Sequence, residues 1–312
     1  MTSSTAYTAR NQQLRAGFGS LQGARAFVPP TATTIEAQAE ILKISHVVED
    51  IPNSQGAKLH WLGKKPATKV FLYFHGGGYA LGPLDGHITF PHKTLEKAGA
   101  GNETVLAFLE YSLSNVARFP TQLIQATEGL RLILSKGYRP SNIIVGGDSA
   151  GGNLGLALLS HLLHPYPEAQ SLVLSEPFRG LLLISPWVSL DTDTQSYKDY
   201  GEVDVAPVSL LEEMAIAFLL PKDRNAWSEA YRADASWWEN APVSNILVTA
   251  GETEVFKDHV LEVGQKLKSA GVNSRTVVCE GQIHVECILD AQTGLPPRSM
   301  SEEIWRWFGE VV

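Results

Sequence analysis

The sequence predicts an α/β fold on a mostly parallel sheet, and three observations carry that expectation. Short β-rich runs alternate with longer amphipathic ones. Several short runs are continuously apolar, such as 69–75 (KVFLYFH), 142–147 (NIIVGG) and 180–185 (GLLLIS), as suits strands covered on both faces. The chain of 312 residues, 44% hydrophobic and 19% charged, can bury a large core and is not disordered.

Along the chain, residues 1–40 precede the first strand and hold helix-compatible sequence around 9–21 and 34–42. Strands are expected at 41–48, 57–62, 69–75, 105–111, 142–147, 180–185, 245–250 and 275–280. Helical patterns fall at 120–136, 150–164, 256–270 and 301–310. The β-α-β-α order implies helices on both faces of the sheet, and about eight strands make one domain over 1–312. The stretch 190–240 lies between two core strands and is far longer than an ordinary connection. It holds Tyr197, Tyr200, Trp227, Tyr231, Trp237 and Trp238. It reads as packing helices or as a substrate-covering cap, and the two are compatible. With 1–40 it is expected to roof an apolar, aromatic pocket. No internal repeat or low-complexity segment interrupts the pattern.

Composition narrows the function classes. Lys and Arg number 25 against 33 Asp and Glu, a net charge of −8. The Lys64-Lys65 pair is the only basic cluster, so no surface tracks phosphates and nucleic acid is not an expected partner. Two cysteines, Cys279 and Cys287, make no disulfide framework and suit a reducing compartment. The first residues run polar through Arg15 with no apolar block of the signal-peptide kind, and no apolar run approaches the ~18 residues of a membrane span. A soluble, cytoplasmic protein is expected, and Asn102-Glu103-Thr104 reads as a loop rather than a glycosylation site.

Two motifs carry chemistry. Gly147-Asp148-Ser149-Ala150-Gly151 joins the strand at 142–147 to the helix at 150–164. A serine there sits on a tight strand-to-helix turn, lifted off the sheet to a helix N-terminus that favours developing negative charge. With 27 Gly and 24 Ser, composition alone gives roughly 0.2 occurrences of G-x-S-x-G, so its context raises it above chance. His75-Gly76-Gly77-Gly78-Tyr79 follows the strand at 69–75, and successive glycines let backbone N–H groups converge on a small anion. A phosphate loop would end in Lys-Ser/Thr or read G-x-G-x-x-G, and neither is present.

A nucleophilic serine also needs a base and a carboxylate. Glu252, Glu254 and Asp258 follow the strand at 245–250, and Gly281-Gln282-Ile283-His284 follows the strand at 275–280. Both loops lie at C-terminal strand ends, where open α/β sheets bind their ligands. The other histidines read as bland: His161 and His164 as surface residues of one helix face, His87 and His92 as flanking a helix start, and His46, His60 and His259 as lacking any motif. Cys287, three residues past His284, reads as a small packing residue.

Together, HGGGY at 75–79, GDSAGGN at 147–153, the acidic loop and GQIH resemble the hormone-sensitive-lipase-like family of α/β-hydrolases, over roughly residues 65–312. The resemblance implies an eight-stranded, mostly parallel sheet with helices on both faces and a helical cap. It implies Ser149 as nucleophile, His284 as base, Glu254 as the acid, and Gly77, Gly78 and Ala150 as oxyanion N–H donors. Which two of Gly76, Gly77 and Gly78 point inward stays open. Asp258 matches a second acid that is structural in the family. Glutamate stands at 254 where the family has aspartate, and Tyr111-Ser112-Leu113-Ser114-Asn115-Val116 stands where it has Y-R-L-A-P-E. That segment braces the family's site, so an unusual substrate fit is expected. The wording at 112–123 and 247–258 resembles fungal natural-product pathway members.

The implied activity is a serine carboxylester hydrolase acting through an acyl-enzyme, with no cofactor and no metal. Its substrate would be a short-to-medium acyl ester or a natural-product ester or lactone. The alternatives on the same fold are a non-hydrolytic acyl transferase, cyclase or dehydratase, and last a small-molecule receptor, against which the presence of His284 argues. Relatives that dimerise through the last strand and helix make a homodimer compatible with this reading.

Overall fold

The protein is described by a computed structural model over residues 3–64 and 66–312. Met1, Thr2 and Lys65, the second member of the basic pair at 64–65, lie outside the described residues. Three helices come first: α1 (Ser3–Gly17), α2 (Leu21–Phe27) and α3 (Thr31–Ile41). The strands are β1 (His46–Asp50), β2 (Lys58–Leu62), β3 (Lys69–Phe74), β4 (Thr104–Glu110), β5 (Ile143–Asp148), β6 (Gly180–Ile184), β7 (Ile246–Gly251) and β8 (Ser274–Cys279). Between and after them lie α4 (Gly86–Lys97), α5 (Thr121–Ser135), α6 (Ala150–Leu163), α7 (Gln195–Tyr200), α8 (Val208–Phe218), α9 (Lys257–Ser269), α10 (Glu286–Thr293) and α11 (Ser299–Val311).

One eight-stranded sheet runs β1-β2-β4-β3-β5-β6-β7-β8. β1 pairs antiparallel with β2, and β2 with β4; the remaining neighbours are parallel. This is the predicted mostly parallel sheet. Its alternation sorts two cores: Val70, Leu72 and Phe74 of β3 join residues of α5, α6 and α9, while Phe71 and Tyr73 join residues of α3, α4 and α11.

The sequence reading differs from the structure at particular places. The apolar run at 41–48 is split: α3 continues through Ile41, Lys43 turns with φ 54°, and β1 begins only at His46. Ile35 and Ala39 bury against the sheet and hold α3 in helical register. The helix α4 carries Pro91 in its interior and α10 is eight residues long, and neither gave a periodic signal. His161 is fully buried, not on the surface: its Nδ1 accepts the N–H of Tyr166 at 2.9 Å and its Nε2 faces the carbonyl of Gln170 at 3.2 Å. Cys279 and Cys287 are free and buried, as packing residues.

Sheet order positions the site. β3 lies between β4 and β5, so successive strands leave it in opposite directions, and a crevice opens at their C-terminal ends. Register pairs Phe74 with Gly147, which brings the 75–79 loop beside the turn at Ser149. Gly251 pairs with Cys279, which sets the 252–256 loop beside 281–285. Four loops distant in sequence therefore meet at one edge.

Candidate active site

Ser149 caps α6 with φ 52° and ψ −118°, a conformation that costs of order 1–3 kcal/mol for a residue with a side chain. The turn is held by close backbone approach. Gly151 lies against the carbonyl of Phe74, so a Cβ there would overlap it. The Ser149 N–H donates to the Ile184 carbonyl at 2.9 Å. Tyr79, Ser185 and Val285 also have positive φ, so strained non-glycine residues gather around this edge.

The structure brings Ser149 and His284 together: Oγ lies 3.0 Å from Nε2. His284 Nδ1 faces Glu254 Oε1 at 3.8 Å, and both atoms are buried with no hydrogen-bond partner. The longer side chain of glutamate is accommodated by folding back on its own loop. Its Oε2 accepts the N–H of Gly251 at 2.7 Å and the Ser185 hydroxyl at 2.6 Å. Burial disfavours the His284 cation, but Glu254, Asp204 and Asp148 outweigh it and hold the imidazole above its ordinary pKa of 6.5. Asp258 lies on α9 and accepts the N–H of Ser196 at 2.8 Å, tying the 190–240 segment down.

Among the three glycines, the Gly76 N–H donates to Asp148 Oδ1 at 3.1 Å, while Gly77 and Gly78 line the cavity above Ser149. Ala150 is buried as the first residue of α6, so its N–H has no acceptor within the helix. Asp148 also accepts the Tyr73 hydroxyl at 2.8 Å and faces His87 Nε2 at 3.1 Å. Burial alone would raise the Asp148 carboxyl; His87, Tyr73 and His75 together hold it below the ordinary range. Burial, with His87 nearby, pushes His75 down to about 3, so it is neutral. The departing segment at 111–116 still braces this loop. The Tyr111 hydroxyl donates to the His75 carbonyl at 2.7 Å, and the Ser114 N–H to the Tyr79 carbonyl at 2.7 Å.

The cavity over Ser149 measures about 90 Å³. Phe18, Val28, Leu210, Leu211 and Met214 from the two long segments form much of its wall. The six aromatic residues singled out in 190–240 are absent from that wall. They pack into the body of the fold instead: Trp238 and Tyr197 are core residues, Trp237 lies tilted on His164 with ring centroids 3.9 Å apart, Tyr231 meets His259 at 4.5 Å, and Trp227 Nε1 donates to the His164 carbonyl. The pocket is thus mainly aliphatic, with Phe18 and Trp187 its aromatic members besides two histidines.

Sequence reasoning passed over His87, Asp204 and Ser185. His87 lines the cavity, and the Leu84 N–H donated to its Nδ1 leaves the ring proton on Nε2 toward Asp148. Its tight coupling to Asp148 spans sixty-one positions and leaves no local pattern. Among the described residues, no group of three His, Cys, Asp or Glu side chains is placed to hold a metal ion, and no helix is long and apolar enough to cross a membrane.

Comparison with known proteins finds relatives over most of the chain. A curated protein of the AB hydrolase superfamily from Schizosaccharomyces pombe is 28% identical over 242 residues, covering 74% of this chain and 67% of its own. An ethyl acetate hydrolase of Pseudomonas putida is 28% identical over 225 residues, covering 70% and 66%. The crystal structure of a thermostable esterase from Pseudomonas putida ECU1011 superposes with a TM-score of 0.77 at 21% identity, over 100% of this chain and 96% of that one. The model of a family described by its alpha/beta hydrolase fold matches residues 71–288, well over half the chain. The chain belongs to the alpha/beta hydrolase fold family.

Proposed function

We propose that the protein is a serine carboxylester hydrolase, and the observation that carries this is the 3.0 Å approach of His284 Nε2 to Ser149 Oγ beneath a glycine loop. His284 takes the Ser149 proton as the hydroxyl attacks an ester carbonyl. Glu254 holds the imidazole in the tautomer with its proton on Nδ1 and stabilises the cation, without itself taking the proton. Closing the 3.8 Å gap by under an ångström would satisfy both orphaned atoms at once. The N–H groups of Gly77, Gly78 and Ala150 stabilise the oxyanion, each worth about 3–4 kcal/mol in comparable sites. Gly76 is excluded from this role because its N–H is given to Asp148. Water then cleaves the acyl-enzyme with His284 again as base, and no cofactor or metal takes part.

The substrate is a small-molecule ester with a short acyl group. A cavity of about 90 Å³ holds several waters' worth of space, not a long chain, and its wall offers little to a charged acyl group. The likeness to an ethyl acetate hydrolase points the same way. The whole chain works as one domain, with 1–40 and 190–240 as its cap. The net charge of −8 argues against nucleic-acid binding, and two free buried cysteines suit the reducing cytoplasm. Hydrolysis of p-nitrophenyl acetate, butyrate and octanoate by wild type beside Ser149→Ala tests the proposal. Turnover falling steeply from acetate to octanoate, and abolished in the variant, supports it; turnover unaffected by the substitution overturns it.

A further inference from the structure

A fourth buried ionisable group stands behind His284 with no part in the chemistry above. Asp204 lies in the loop between α7 and α8 and has no accessible surface. Its Oδ1 accepts the N–H of His284 at 3.1 Å and that of Val205 at 2.7 Å, and its Oδ2 accepts the N–H of Val255 at 2.9 Å. His284 and Val255 belong to different strand-end loops, one carrying the imidazole and the other following Glu254. A single carboxylate therefore joins the two backbones. The backbone of this loop is held in turn by α1, where Arg15 donates to the main-chain carbonyls of Asp204 and Gly201, each at 2.7 Å.

The residue type follows from the chemistry. Two N–H groups arriving from separate loops, far from water, need two acceptors on one rigid group. An asparagine offers one acceptor and a misplaced NH₂ donor. A buried carboxylate survives because its oxygens are taken up by backbone N–H groups.

We propose that Asp204 is a positioning residue for ester hydrolysis, whose carboxylate ties His284 to Val255 and so sets the reach of the imidazole toward Glu254. The proposal rests on the serine-esterase reading of the site. Its charge also stands near the imidazole as that ring gains the Ser149 proton. The groups facing His284 are Glu254 from the loop after β7, Asp148 and Ser149 from the end of β5, Asp204 from the cap, and the Phe256 ring at 4.6 Å. Facing Asp204 are His284, Glu254, Tyr197 of α7 and Arg15 of α1. Burial, opposed by His284 and reinforced by Glu254, pushes the Asp204 carboxyl up to about 6. It is ionised where His284 is neutral and able to act.

The experiment measures kcat and KM for p-nitrophenyl acetate from pH 5 to 9 in wild type, Asp204→Asn and Asp204→Ser, the serine leaving room for water. Folding is checked by circular dichroism and melting temperature. In a folded variant, kcat is expected to fall roughly 10–100-fold with KM within about 2-fold, and the acid limb of kcat/KM to move down by about half to one pH unit. A wild-type kcat with an unmoved acid limb would overturn the proposal. Loss of folding in both variants would also overturn it, since Asp204 would then only hold the chain together. If wild type neither turns over esters nor reacts with a fluorophosphonate, the esterase reading fails instead. The His284 titration by NMR in wild type and the variants then still tests the link, and an unshifted imidazole sinks it.

Discussion

The strand-end loops and the segments that roof them are held by different means. The loops at 75–79 and 147–151 depend on a backbone with no room for a Cβ: at Gly76 it would overlap the Asp148 carboxylate and at Gly151 the Phe74 carbonyl. The roof is fixed by side chains. Arg10 of α1, almost fully buried, forms ion pairs with Glu286 and Asp290 of α10. Leu210, Leu211 and Met214 of α8 close the cavity with apolar packing. Backbone geometry thus dictates where the reacting atoms stand, and side-chain volume dictates what fits above them. The first tolerates almost no substitution; the second can be reshaped.

The comparison breaks most visibly at Ser149. Ser149→Ala should lower kcat/KM for p-nitrophenyl acetate by 10⁴-fold or more with little change in melting temperature. A loss under tenfold would remove Ser149 from the reaction. Glu254→Gln keeps the acceptor for Gly251 but withdraws the charge facing His284, and roughly 10²–10⁴-fold should be lost in kcat. On the roof, Arg10→Ala leaves the buried Asp290 without its paired cation, while Glu286 keeps Arg298. The substitution should cost about 3–5 kcal/mol of stability, read as a lower denaturant midpoint. Burial, opposed by Arg10 and reinforced by Glu286, already pushes Asp290 up to about 7, so the variant should take up protons on folding near neutral pH.

Met214→Ala sharpens the contrast in the other direction. Met214 packs directly against Gly78, and shortening it should raise octanoate turnover relative to acetate about tenfold while acetate turnover holds. An unchanged chain-length profile would place the acyl group elsewhere. The smallest effect is the pH profile. His284 must be neutral to accept the Ser149 proton, and its pKa is raised. Activity should therefore be low below pH 6.5 and climb to a plateau through a midpoint above that value. A rate flat from pH 5 to 8 would remove His284 as the base.

Legibility followed the same division. HGGG and GDSAG could be read because close backbone approach demands glycine at fixed offsets, which leaves a local pattern. Glu254 and His284 were readable by their place after strands. Asp204 was not, because its partners Val255 and His284 lie 51 and 80 positions away, and nothing in GEVDV marks it. The aromatic residues of 190–240 misled for a related reason. None of them lies on α8; α7 spans six residues and the others sit in or beside short turns, so no periodicity says which way a ring faces. Tyr231 and Trp237 turned toward His259 and His164 rather than the cavity.

The aliphatic wall above Ser149 has a consequence for turnover. A neutral ester gains by leaving water for that wall, but the carboxylate released after deacylation does not. The anion emerges beside Asp148, with Glu254 and Asp204 buried behind His284, and among the described residues no lysine or arginine lines the cavity to retain it. Product is expelled by the same surface that drew the substrate in. Accumulating acid should therefore inhibit weakly, and progress curves should stay close to linear well into the reaction.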